Sequence, residues 1–226
     1  MPKALLVVSG HWEERAFTAS VAEHPELIFD YSGFPEHTYR LTWPAPGDPV
    51  LARRVAAMLN AAGLPSAINT TRGYDHGVFI PLKVAFAQAD IPVVTLSLVS
   101  DAQGRLDPAL HLQAGRALAP LREEGVLIIG SGMSFHNLRA YLRPETREAA
   151  RGFDEWLTHA VECAEPERDE LLAKWEQAPF ARFAHPREEH LGPLFVVAGA
   201  GGIAAGKRVF TDEPMGAMIS AYRFDG

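Results

Sequence analysis

One cysteine, Cys163, is present in 226 residues. No intramolecular disulfide can form, and a reducing compartment, the cytoplasm, is the expected home. No apolar run approaches the ~20 residues that a membrane-spanning helix needs, so no membrane partner is expected. Met1 to Gly10 lack the length and flanks of a secretory signal and read instead as a short buried strand. Basic residues are in deficit, 21 Lys and Arg against 28 Asp and Glu, giving a formal charge of −7. Nucleic acid is therefore not an expected partner, because phosphate binding needs a basic face. There is no Gly-x-Ser-x-Gly elbow and no Walker A loop. The glycine-rich stretch Gly199 to Gly206 closes a helix instead of opening one, which argues against a phosphate cradle. Cys163 lies in a predicted helix with no motif around it and is not read as a nucleophile.

What remains is an ordinary globular composition, 47% hydrophobic and 22% charged, enough for one domain spanning 1–226. Short apolar runs at Ala4–Ser9, Pro92–Leu98 and Gly125–Ile129 read as buried strands, with weaker strands at Leu27–Tyr31 and Ala67–Thr70. Helical patterns cover Val50–Ala62, Val78–Ala87, Asp107 to about Leu121, Arg147–Ala164, Leu171–Trp175 and Leu191–Ala200. Asp48 caps the first of these, with Pro49 at its first position. Met218–Phe224 alternates like a closing edge strand. Strands alternating with helices predict an α/β fold, a central mixed, largely parallel sheet flanked by helices.

Nine histidines stand out by placement. His11, His76 and His136 each follow a small residue at the end of a strand or in a loop beside one, where α/β sheets bind ligands. Each alone could be a loop histidine or a core histidine with a satisfied hydrogen bond; three together point to one site. His185 and His190 are too far apart in register to share a helix face. His185 reads as an exposed loop residue, and His190, backed by an apolar helix, as the better ligand candidate. Imidazoles suit iron, zinc and copper, and histidines left off the metal supply acid and base near neutrality. Tyr74, Phe79 and Phe135 are either pocket walls or core.

The stretches VVSGHW, YSGFPEHTYRLTWPAPGDP, RGYDHGVFIPL, ADIPVVTLSL, LREEGVLIIGSGMSFHNLR, HPREEHLGPL and SAYRF run through nearly the whole chain in order. In them the chain resembles the DOPA 4,5-dioxygenase-type extradiol ring-opening dioxygenases of the class III extradiol superfamily. The resemblance implies an Fe(II) enzyme opening a small aromatic diol, a catechol, with O2, zinc being a possible stand-in. It implies that His11 and His190 are metal ligands. His136 resembles the histidine that is a base in the wider superfamily and often a metal ligand in this subfamily, and His76 resembles the second acid/base histidine. Members usually begin with a further strand ending in His-Gly-Ser-Pro, whose histidine is another ligand, whereas this chain starts at Met1 just before VVSGHW. Either the natural protein is shortened or the sequence starts at an internal methionine. The expected consequences are weaker metal binding and a bare sheet edge that favours pairing into a homo-oligomer. Two other readings stay open: a non-catalytic metal-binding module, and a metal-dependent hydrolase using Glu188 or Glu189 as base.

Overall fold

A computed structural model describes residues 1–225. In chain order its main elements are β1 (Ala4–Glu14), β2 (Phe17–Ser20), α1 (Pro49–Ala61), β3 (Ser66–Asn69), α2 (His76–Ala85) and β4 (Val93–Val99). They continue with α3 (Pro108–Leu118), α4 (Pro120–Glu123), β5 (Val126–Ser131), α5 (Thr146–Glu162) and α6 (Glu167–Ala173). The last are α7 (Ala181–Ala184), α8 (Gly192–Ala200), β6 (Lys207–Asp212) and β7 (Ile219–Arg223). Five strands form one sheet in the order β3-β2-β4-β1-β5. All neighbours are parallel except β2 and β4, which meet antiparallel at Ala19 and Leu96. This is the mixed, largely parallel α/β sheet expected from the sequence.

The alternating strand geometry divides β1 between two cores. Leu6 and Val8 pack with Val55 and Leu59 of α1, Leu118 of α3 and Val196 of α8. Leu5 and Val7 face the other way, onto Val78, Phe79 and Leu82 of α2 and onto Trp43 and Tyr74. A third cluster lies behind α8, where Phe153, Leu157 and Val161 of α5 meet Leu172, Trp175 and Phe195. Burying both faces of β1 explains why its sequence is a continuous apolar run. The Asp48 side chain accepts from the N–H groups of Val50 and Leu51, with Pro49 following, as the sequence predicts for the start of α1.

Several expectations need correction. Leu27–Tyr31 is not a strand; it makes one isolated bridge, Leu27 to Tyr74. The helix expected from Asp107 to Leu121 is two, because Pro120 lacks the N–H that would continue α3. β7 does not close the main sheet; it pairs antiparallel with β6 in a separate ribbon. β5 therefore forms one edge of the sheet, with Leu127 exposed on it. A groove of about 650 Å³ runs along that edge from Pro2 past Leu127 and Ile129 to His190. His185, expected to be exposed, is fully buried between Phe153 and Trp175, and its Nε2 donates to the Ser134 carbonyl at 3.0 Å.

His111 is the second fully buried imidazole. Its Nδ1 donates to the Asp107 carbonyl at 2.7 Å, and its Nε2 accepts from the Val99 N–H at 3.1 Å. Burial pushes both imidazoles down from 6.5 to about 4, the bonded carbonyls pulling only partly back. The unfolded chain binds these two protons near pH 6.5 and the folded chain does not. Stability is thus full above that pH and falls as pH drops from 6.5 toward 4. The expected loss approaches about 1.4 kcal/mol per pH unit for each group within the window. Urea unfolding across this range is the measurement; a midpoint that stays constant would overturn the account.

Candidate metal centre

The site begins with an irregularity in β1. Val8 pairs with Leu96 of β4, but the next pairing is Glu13 with Leu98, so Ser9 to Trp12 bulge away from β4. A bulge re-aims the side chains it carries. The bulge is tied down by Ser9, whose hydroxyl donates to Asp75 Oδ1 at 2.8 Å in a buried hydrogen bond. Asp75 Oδ2 accepts from Arg72 at 2.8 Å, and the Arg72 guanidinium lies over the Trp12 ring at 5.1 Å. Burial alone would raise the Asp75 carboxyl; the His11 ring, whose Nδ1 approaches to 3.6 Å, and the hydrogen bonds from Ser9 and Arg72 outweigh it and hold the group below the ordinary carboxylate value.

Asp75 immediately precedes α2, which places His76 at the helix start. His76 Nδ1 lies 2.8 Å from Asp30 Oδ1, and the His76 backbone N–H donates to the same oxygen at 2.9 Å. With its Nδ1 donating, His76 presents Nε2 as the free base. Its ring sits 4.0 Å from that of His11. Gly77 leaves room for this approach, since a Cβ there would stand 2.9 Å from Ser9 Oγ and 3.0 Å from His11 Nδ1.

The other half of the site comes from the ends of β5 and the segment before α8. The Met133 N–H donates to the His190 carbonyl at 3.0 Å. Gly132 permits this crossing, because a Cβ there would stand 2.1 Å from that carbonyl. His190 Nδ1 lies 3.0 Å from Glu189 Oε1, and the His136 ring stacks on that of His190 at 3.3 Å. His136 Nδ1 is 3.4 Å from the same Glu189 oxygen. Burial opposes ionisation of Glu189, but the two imidazoles prevail and hold its carboxyl well below the usual range. Burial also lowers His190, with Glu189 pulling against it and His136 and His11 pushing the same way as burial.

The two halves meet where His11 Nε2 stands 2.9 Å from His190 Nε2. Glu189 accepts a hydrogen bond from the Nδ1–H of His190, so its Nε2 offers a lone pair. Two nitrogens each about 2 Å from one ion and at a right angle would stand about 2.9 Å apart. His11 Nδ1 and Glu189 Oε2 are buried without a hydrogen-bond partner. His11, Asp30 and His76 on one side, and His136, Glu189 and His190 on the other, each bring three ligand atoms within 4.8 Å of one another. The donor set, imidazole with carboxylate, fits a divalent transition metal.

A family model described as the catalytic LigB subunit of aromatic ring-opening dioxygenase matches residues 1–224. The chain belongs to the LigB family. Like its relatives, it is an extradiol ring-opening dioxygenase. It is 39% identical to the 4,5-DOPA dioxygenase extradiol of Beta vulgaris, over 99% of this chain and 83% of that one. It is 38% identical to the dioxygenase tasH of Hapsidospora irregularis, over 100% of this chain and 72% of that one. A crystal structure of an uncharacterized Escherichia coli K12 protein superposes with a TM-score of 0.79 at 29% identity, covering 98% of this chain and 85% of that one.

In this LigB protein His11, His76 and His136, singled out near strand ends, come together with His190, singled out before an apolar helix. The carboxylates that orient them were not singled out as such. Asp30 lies near the end of a segment misread as a strand, and Asp75 sits directly before His76, where it reads as an ordinary helix start. A carboxylate adjacent to a candidate histidine, as in Asp75-His76 and Glu189-His190, is the signal that would have found two of the three. Tyr74, Phe79 and Phe135 are fully buried core residues. The aromatic surface beside the site is Tyr31, whose ring is 5.6 Å from that of His76, backed by Phe29, Phe34 and Tyr39.

Replacing Asp75 by Ala removes the partner of Ser9 and strands the Arg72 charge. The expected cost is on the order of 3 kcal/mol in urea unfolding, and it should shrink when Arg72→Ala is already present. Full additivity of the two substitutions would show that Asp75 and Arg72 do not act as a coupled pair.

Proposed function

We propose that this protein is a non-haem Fe(II)-dependent dioxygenase that opens the ring of a catechol with O2. The observation that carries the reading is the pair of facing Nε2 atoms of His11 and His190, 2.9 Å apart, with the far side of His190 braced by Glu189. A metal-bound histidine commonly gives its second N–H to a carboxylate, which fixes the tautomer and raises ligand basicity. When bound, Fe(II) supplies a Lewis acid and template for the diol and O2, and a path for electrons between them.

The chain's own groups do the rest. His11 and His190 would hold the ion. His76, its Nδ1 turned to Asp30, accepts a proton from a catechol hydroxyl at Nε2 and returns it as the ring opens, Asp30 stabilising the imidazolium in between. His136, stacked on His190 and turned to Glu189, either completes the ligand set or acts as the second base. Tyr31 and the exposed Phe34 give the substrate ring an aromatic face. Zinc would occupy the same donors without supporting oxygen chemistry. The single cysteine and the −7 charge support a cytoplasmic setting and argue against nucleic acid. The β5 edge offers a strand to which a second copy could pair.

The hydrolase alternative loses support at its proposed bases. Glu188 is buried, accepting from the Leu106 N–H at 3.0 Å and from Arg182 at 2.6 Å. Glu189 is committed to His190 and His136. Both Glu188 oxygens are thus engaged, and Glu189 turns Oε1 to two imidazoles.

The test is metal analysis with oxygen uptake on Fe(II)-loaded variants. His11→Ala and His190→Ala should lose the metal, while His76→Ala should keep it and lose roughly 100-fold or more in turnover. Equal metal retention in all three would overturn the assignment.

A further inference from the structure

The end of α5 and the start of α6 carry a second group of ligand atoms, separate from the histidine cluster. His159 lies in the last turn of α5, Cys163 follows as its C-cap, and Glu167 opens α6. An imidazole nitrogen, the thiol sulfur and a carboxylate oxygen from these residues lie within 4.8 Å of one another. His159 and Cys163 are four residues apart, the spacing that puts two side chains on one helix face. The Cys163 backbone N–H bonds the His159 carbonyl at 3.2 Å, so the helical geometry persists to the cysteine. His159 and Glu167 are exposed and Cys163 is half-buried, leaving a side open to an incoming ion and a water.

We propose that His159, Cys163 and Glu167 form a surface site for one borderline-soft divalent cation, zinc in the first instance. Nitrogen, sulfur and oxygen donors at this spacing, with a water as fourth ligand, match what zinc takes in tetrahedral sites. Hard cations such as magnesium and calcium prefer all-oxygen shells and are excluded by the sulfur. Burial and the neighbouring Glu167 carboxylate push the Cys163 thiol up, which favours the thiol form in the metal-free protein. An entering cation reverses that: the thiol releases its proton to solvent and the thiolate and carboxylate are both neutralised. The ion would clip α5 to α6 across the turn that joins them.

Cys163 makes the test selective, because it is the chain's single sulfur nucleophile and the histidine cluster contains none. The purified full chain, stripped of metal, is titrated with cobalt(II) under anaerobic conditions. A sulfur-to-cobalt charge-transfer band should grow to one equivalent per chain, vanish in Cys163→Ser, and be displaced by zinc but not by magnesium. His159→Ala and Glu167→Gln, both at exposed positions, should each weaken binding by about tenfold or more. As a second readout, zinc should slow alkylation of Cys163 in the unaltered chain and in His11→Ala, and much less in Glu167→Gln. No band at a large excess of cobalt would overturn the proposal. So would a band whose midpoint is unmoved by both His159→Ala and Glu167→Gln, since that is a thiol binding alone.

Discussion

The buried hydrogen bond from Ser9 to Asp75 joins the two parts of the molecule on which the histidine cluster rests. Ser9 belongs to the bulge of β1 and Asp75 to the start of α2, so this contact sets where His11 and His76 stand relative to each other. A buried carboxylate is costly unless bonded and paired. Here the cost is offset by Ser9 and Arg72, and the same partners fix the oxygens in place. Gly77 then sets the closeness of approach by having no side chain to intervene.

Carboxylates recur around the cluster as a device for choosing tautomers. Asp30 engages Nδ1 of His76, and Glu189 engages Nδ1 of His190, in each case freeing Nε2. Under the proposed function the same pattern would serve two ends, making one imidazole a better ligand and the other a better base. His111 and His185 show the opposite treatment. They are buried against carbonyls, held neutral and used as packing groups with fixed hydrogen bonds.

The central strands and most helices were legible because burial on two faces, capping by Asp48 and Pro49, and 3.6-residue periodicity leave marks in local sequence. The four histidines were legible because strand ends are where such a sheet presents ligands, and the full set of motifs resembled one family. The bulge in β1 was not, since Gly10-His11-Trp12 reads equally well as the end of a strand. β2 escaped notice because four residues are too few for a period, and β6, the partner of the expected last strand, because its exposed residues carry no core pattern. The burial of His185 is set by Phe153 and Trp175, both distant along the chain, so no local signal reports it.

Helices α3 and α8 touch through their backbones. A Cβ on Gly115 would stand 2.0 Å from the Val196 carbonyl, and one on Gly199 2.0 Å from the Leu112 carbonyl. Side chains between helices act as a compressible spacer; main-chain atoms in direct contact do not. Helix α8 follows His190 by two residues and backs onto β5 at Gly130, where a Cβ would stand 2.7 Å from the Pro193 carbonyl. The position of His190 is thus inherited from hard-sphere contacts at two places along one helix. A centre seated this way has little freedom to widen for a larger ion or shrink for a smaller one. The fit of any ion held there would depend in part on three glycines, Gly115, Gly130 and Gly199, that stand away from the ligand atoms.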